Sequence, residues 1–163
     1  MGTLKLTTPG DREIVMTRVF DAPRRLVFDA HTKPELVRQW LLGPPGWSMP
    51  VCEMDVRVGG KYRWVWRKDS DGTDVGMGGV YREIVAPERL VATERFDQAW
   101  YPGEALNTLV LVEKEGRTTL TQTTRYESRA ARDAVIESGM EKGVKASYDR
   151  LDDVLAAAER LHS

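Results

Sequence analysis

The sequence predicts an α+β protein, an antiparallel sheet with helices on one face, curled around a long C-terminal helix. Three observations point there. From Ser138 to Leu161, the residues Met140, Val144, Tyr148, Leu151, Val154, Leu155 and Ala158 recur at helical spacing. Between Trp47 and Tyr126 the chain divides into strand-like runs, with the hairpin signals Gly59-Gly60, Asp69 to Gly72 and Glu115-Gly116 between them. Only two short helical patterns precede those runs, joined at Pro34.

In chain order, Met1 to Gly10 reads as a loose start ending in the turn-like Pro9-Gly10. Arg12 to Phe20 alternates weakly and is the first expected strand. Asp21-Ala22-Pro23 opens a helix with Leu26, Val27 and Ala30 on one face. Thr32 and Glu35 have the spacing of a capping box for a second helix, which carries Leu36, Val37, Trp40 and Leu41 and stops before Gly43-Pro44-Pro45-Gly46. Strands are then expected over Val51 to Val58, Lys61 to Lys68, Gly76 to Val85, Arg89 to Asp97, Asn107 to Glu113 and Thr118 to Tyr126. Ala130 to Glu137 is helical. Ser138 is the expected N-cap of the long helix, with Glu141 completing a second capping box. About 23 helical residues span roughly 34 Å, enough to cross a sheet.

The totals narrow the functional classes. A chain of 163 residues, 41% apolar and 30% charged, suits one globular domain with its core over residues 12 to 160. A net charge of −1 gives no electrostatic footprint for nucleic acid or an anionic membrane. No apolar run reaches the length of a membrane span and no signal-peptide pattern opens the chain, so no membrane insertion is expected. Cys52 is the only cysteine, which excludes an internal disulfide and suggests a cytoplasmic location. With His31 and His162 as the only histidines, no metal site, cofactor or His-dependent nucleophile is expected.

The strand Lys61 to Lys68 shows which side of the sheet is buried. Tyr62, Trp64 and Trp66 share one face, opposite Lys61, Arg63, Val65 and Arg67. On the last strand Leu120, Gln122, Thr124 and Tyr126 share a face, so an inward Gln122 needs a partner in protein, water or ligand. Trp40, Trp47, Trp100 and Tyr148 add further rings. Any single ring packs a core more often than it lines a pocket. The long helix, however, sets Gly139, Gly143 and Ser147 in one row, and each glycine costs about 1 kcal/mol against alanine. Such a row either admits close backbone or leaves space. The expectation is a cavity between sheet and helix lined by Tyr62, Trp64, Trp66, Tyr81, Gln122, Met140 and Val144. Gln98 to Ala105 and the turn near Gly72 are its expected rim.

Candidate acids and bases are weaker signals. Glu53, Asp55, Arg63, Glu94 and Arg95 lie on strands, where most charges face solvent, and none is assigned a catalytic role. His31 reads as a charge or cap at a helix C-terminus. Cys52 reads as an inert, half-buried thiol, and Gly76 to Gly79 lacks the context of a phosphate loop.

Several motifs carry a family resemblance: Phe20-Asp21-Ala22-Pro23, Val27 to Ala30, Thr32 to Glu35 with Trp40, Asp55 to Gly60 with Tyr62, Gly79 to Tyr81, and Pro87 to Leu90. Together they resemble the bacterial proteins similar to the activator of the heat-shock-protein-90 ATPase, over about residues 12 to 158. That family is a branch of the START-like, birch-pollen-allergen-like (SRPBCC) superfamily. The resemblance implies a helix-grip fold, a curved seven-stranded antiparallel sheet around the C-terminal helix with a cavity between them. Relatives often carry Gly-Trp where this chain has Gly143-Val144, which should enlarge or reshape that cavity.

The superfamily includes carriers, cyclases and cochaperone domains, so function must come from the site. The first expectation is a carrier or sensor for a small hydrophobic or aromatic molecule, not an enzyme. The alternatives are a cyclase-, aromatase- or lyase-like enzyme acting on a bound ring system, and a cochaperone-like interaction domain. The expected partner is a small hydrophobic molecule bound by a monomer or homodimer. Nothing in the sequence supports a chaperone partner.

Overall fold

The computed structural model describes residues 2–97 and 103–162. Its strands are β1 (Lys5–Thr7), β2 (Glu13–Phe20), β3 (Trp47–Met54), β4 (Lys61–Lys68), β5 (Asp74–Val85), β6 (Arg89–Phe96), β7 (Ala105–Lys114) and β8 (Arg117–Arg125). They form one eight-stranded sheet in the order β1-β2-β8-β7-β6-β5-β4-β3, antiparallel at every pairing. The helices are α1 (Arg24–Thr32), α2 (Pro34–Trp40), α3 (Arg129–Glu137) and α4 (Met140–His162). This is the α+β, helix-grip arrangement, with one strand more than the seven expected.

The extra strand is β1, inside the segment read as a loose start. It pairs Leu6 with Met16 at the sheet edge. Three residues offer too little alternation to be seen in a sequence. The next strand after the short helices begins earlier than expected, at Trp47, and ends at Met54. Pro50 hides this start, because proline removes a ladder donor. It is tolerated because β3 is an edge strand whose register shifts between Ser48 and Val51. Residues 55 to 60 form the turn into β4 instead: Gly60 N–H donates to Arg57 O at 2.8 Å, and Gly59 takes a left-handed φ of 87°.

Neither expected capping box forms. The Thr32 hydroxyl donates back to Phe28 O at 2.9 Å, and Lys33 is the N-cap of α2, with no side-chain cap. Ser138 ends α3 rather than starting α4, and its hydroxyl donates to Val135 O at 2.5 Å. Gly139, at φ 79°, turns the chain between the two helices, so it does not belong to the row on α4. A side-chain cap does form at the start of α3, where Ser128 Oγ accepts from Ala131 N–H at 3.0 Å.

The sheet's inner face holds α4. Tyr148, Leu151 and Leu155, all buried, pack with Phe20, Leu111 and Leu120 in the main core. Arg18, only 3% exposed, fastens this half of the helix to β2: its Nη2 donates to Asp152 at 2.5 Å and Asp149 at 3.3 Å. A buried cation needs such paired acids. A second cluster, built on Ile14, Met16, Tyr126 and Val135, lies under α3, with Met140 and Val144 packed against it.

Candidate functional site

Between the inner face of the sheet and the first half of α4 lies a cavity of about 600 Å³. That is within the range of about 300–1,000 Å³ common for small-molecule sites. All seven residues expected around it are on its wall: Tyr62, Trp64 and Trp66 from β4, Tyr81 from β5, Gln122 from β8, and Met140 and Val144 from α4. Trp40, Trp47 and Tyr148 also reach it.

The aromatic wall follows from strand alternation. Tyr62 pairs with Gly79 on β5, which carries no side chain, so the Tyr62 ring crosses it and donates to Thr93 O on β6 at 2.6 Å. A Cβ on Gly79 would come within 2.9 Å of that hydroxyl. Trp64 stacks at a tilt on Tyr62, centroids 4.6 Å apart, and meets Trp66 edge-on at 6.1 Å. On the helical side Trp40 stacks on Tyr148 at 5.8 Å, and its Nε1–H donates to Ala30 O at 2.8 Å.

Gly143 and Ser147 do not simply leave space, as the row of small residues had suggested. A Cβ on Gly143 would lie 3.3 Å from Pro44 Cδ. Ser147 Oγ accepts from Gly43 N–H at 2.9 Å, and Arg150 Nη1 donates to Gly43 O at 2.8 Å. Trp66 Nε1–H holds the other side of the same loop through Leu41 O at 2.7 Å. The small residues therefore let loop 41–46 approach α4 and close that side of the cavity. The turn near Gly72, expected at the rim, is not part of the wall. Of the other expected rim segment, and with it Trp100, residues 98–102 lie outside the described residues.

The wall has two kinds of polar group. On β6 to β8, Thr124 Oγ1 donates to Asn107 Oδ1 at 2.6 Å, and Asn107 Nδ2 donates to Glu94 Oε1 at 2.9 Å. This row joins three neighbouring strands. On the other side are bare atoms. Among the described residues four buried side-chain nitrogens or oxygens have no hydrogen-bond partner, and three of them, His31 Nε2, Trp64 Nε1 and Tyr81 Oη, belong to residues that line the cavity, the atoms themselves being buried. Burial pushes the Tyr81 phenol above its usual range, so it remains a neutral hydroxyl.

His31, read from the sequence as a charge or cap at a helix C-terminus, carries no charge there but does bond a carbonyl of its own helix. Its Nδ1 lies 2.7 Å from Val27 O, which fixes the proton there, and its ring meets Trp40 edge-on at 4.9 Å. Burial lowers its pKa to about 4, against the raising effect of that hydrogen bond, so the imidazole is neutral at pH 7. Its distance of four residues from Val27 on α1 was the available signal. Glu94 and Asn107 were legible too: Leu90, Ala92, Glu94 and Phe96 alternate onto one face, as do Asn107, Leu109 and Leu111.

A second concavity, of about 430 Å³, lies on the outer face of the sheet. Its charges are already paired, Arg63 with Asp97 at 2.6 Å and Arg67 with Asp74 at 2.8 Å. Glu53, Asp55 and Arg95 are also exposed, away from the inner cavity. Cys52 is buried, its Sγ 3.8 Å from Pro34 O, and burial pushes its thiol pKa up. No helix among the described residues is long and apolar enough to cross a membrane, and none of their His, Cys, Asp and Glu side chains cluster as a metal site.

Comparison with known proteins agrees with this geometry. The family model described as activator of Hsp90 ATPase homolog 1-like protein matches residues 21–156. A Rhodobacter sphaeroides crystal structure is 32% identical, with a TM-score of 0.88 over 95% of this chain and 99% of that one. A Chromobacterium violaceum crystal structure is 29% identical, with a TM-score of 0.79 over 88% of this chain and 96% of that one. An Arthrobacter aurescens solution structure is 26% identical, with a TM-score of 0.81 over 95% of this chain and 91% of that one. No curated protein matches. With its family match over most of its length and its sheet closed on a terminal helix, the chain belongs to the activator of Hsp90 ATPase homolog 1-like family.

Proposed function

We propose that this protein is a cytoplasmic carrier or sensor that binds a small, largely apolar, ring-bearing molecule between the sheet and the first half of α4. The observation that carries this reading is the wall itself. A void of about 600 Å³ is bordered by aromatic side chains that a solid core would have filled. Loop 41–46, held by β4 on one side and α4 on the other, is the element that shields a bound molecule from water. The working unit is a monomer or homodimer with a small hydrophobic molecule as its partner. A chaperone partner has no particular surface in its favour.

The test is a fluorescence titration with N-phenyl-1-naphthylamine, an uncharged apolar probe. Saturable enhancement at one probe per chain is expected, together with a rise in Tm, since a ligand of the folded state alone stabilises it. The absence of saturable enhancement defeats the reading.

One observation favours a second reading, an enzyme acting on a bound ring system. Glu94 is an acid on a mostly apolar wall, oriented by Asn107 and Thr124, as proton transfer would require. Under that reading Glu94→Gln abolishes turnover and leaves probe binding intact. Under the carrier reading the same variant has no turnover to lose.

A further inference from the structure

One polar side chain on the inner wall is left unused by the protein. Gln122 sits on β8, between β2 and β7, on the face it shares with the buried Leu120 and Thr124. Its partners across the two ladders are Met16 and Leu109, both apolar and both on the cavity wall. The polar groups nearby are engaged with one another, Thr124 Oγ1 with Asn107 and Asn107 Nδ2 with Glu94. Among the described residues the Gln122 carboxamide has no hydrogen-bond partner. It differs from Trp64 Nε1 and Tyr81 Oη, which are unpaired and sealed, because the Gln122 oxygen and nitrogen keep accessible surface. On the inner face of an interior strand, that surface opens on the cavity.

A free carboxamide sets N–H donors beside a carbonyl acceptor, so it suits a group that both gives and takes a hydrogen bond. It cannot neutralise a charge, and nothing else on the wall does so for an anion. No lysine or arginine is among the described residues lining the cavity, and the one acid there is Glu94. His31 lines it as a neutral imidazole. An anion brought into this space would lose its hydration and find no cation to replace it.

Resting on the carrier reading above, we infer that Gln122 is the polar anchor of the cavity, and that the molecule it anchors is an uncharged ring compound bearing an amide or hydroxyl group rather than a carboxylate. The polar group of the ligand meets the Gln122 carboxamide, and its rings lie on the apolar surface that begins with Met16 and Leu109. Fatty acids and aromatic acids are thereby excluded at neutral pH, although their apolar portions would fit.

Three naphthalene probes test this by calorimetry at pH 7.4: naphthalene, 2-naphthamide and 2-naphthoate, the last two alike in shape and different in charge. The amide is expected to bind about tenfold tighter than the hydrocarbon, the gain typical of a pair of hydrogen bonds, and at least about tenfold tighter than the carboxylate. Gln122→Met keeps the length of the side chain and removes its donors and acceptor. It should abolish the amide's advantage and leave naphthalene affinity unchanged, which also shows that the cavity is intact in the variant. In the wild type, the side-chain NH2 signal of Gln122 should shift with 2-naphthamide well beyond its response to naphthalene, a readout that needs no variant. Equal binding of amide and hydrocarbon, tightest binding of the carboxylate, an advantage that survives Gln122→Met, or a Gln122 signal indifferent to the amide overturns the inference while leaving the carrier reading in place. If none of the three binds, both fall.

Discussion

The two halves of α4 lie against the same sheet and end in different surroundings. From Tyr148 onward the helix is welded to the core: Leu151 is fully buried, Leu155 nearly so, and Arg18 holds Asp149 and Asp152 from below. From Met140 to Ser147 it faces a void. The difference comes from a few side chains. The second half presents Tyr148, Leu151 and Leu155, large enough to reach the sheet. The first presents Met140 and Val144, both half-buried, and spends Gly143 and Ser147 on holding loop 41–46. One helix therefore serves as core plug at one end and as cavity wall at the other. Packed core and open cavity are separated along its length.

The sharpest way to break this division is to truncate matched residues in the two halves. Leu151→Ala should cost about 2–5 kcal/mol in urea unfolding, because it opens a hole in packed core. Val144→Ala should cost only about 1 kcal/mol, because its neighbours already face empty space. Equal losses would mean that the two halves are packed alike.

The next effect is one of pH. His31 has a folded-state pKa of about 4, below its unfolded value of about 6.5. The unfolded chain therefore takes up a proton that the native state refuses. The stabilisation is present above pH 6.5 and is lost as pH falls toward 4, by up to about 3 kcal/mol. Wild type and His31→Asn compared by urea melts from pH 7.5 to 4 should show a difference that shrinks over that window. A constant difference would contradict a neutral imidazole at the cavity wall.

A filling variant sharpens the comparison from the other side. Val144→Trp places an indole on the cavity face of α4. It should weaken N-phenyl-1-naphthylamine binding by at least about tenfold, some 1.4 kcal/mol, with little change in unfolding free energy. The smallest expected effect is Ser147→Ala. It removes the acceptor for Gly43 N–H, costs about 1 kcal/mol, and should speed hydrogen exchange at that amide.

Particular elements show how far sequence reading reaches. Lys61–Lys68 emerged with both ends as expected, because aromatic residues alternate there with charged ones, Val65 alone departing from the pattern before the closing Lys68. The cavity wall was legible for the same reason, since residues on one strand face share a destination. The helix junction was not. Ser138 and Glu141 have capping-box spacing, but Gly139 takes a left-handed turn that spacing cannot reveal. Loop 41–46 was hidden more deeply. Gly43-Pro44-Pro45-Gly46 reads as a stop signal, and its partners Ser147 and Arg150 lie more than a hundred residues away. The bare Trp64 and Tyr81 atoms were also out of reach, because an unsatisfied group is a property of the packed interior.

The division of α4 is tested most directly by amide chemical shifts during titration with N-phenyl-1-naphthylamine. The account predicts changes on β4 around Tyr62 to Trp66, at Tyr81 and Gln122, and on α4 from Met140 to Tyr148, with Leu151 onward silent. Changes centred on Arg63, Arg67, Asp74 and Asp97 of the outer face, or spread evenly along α4, would contradict it.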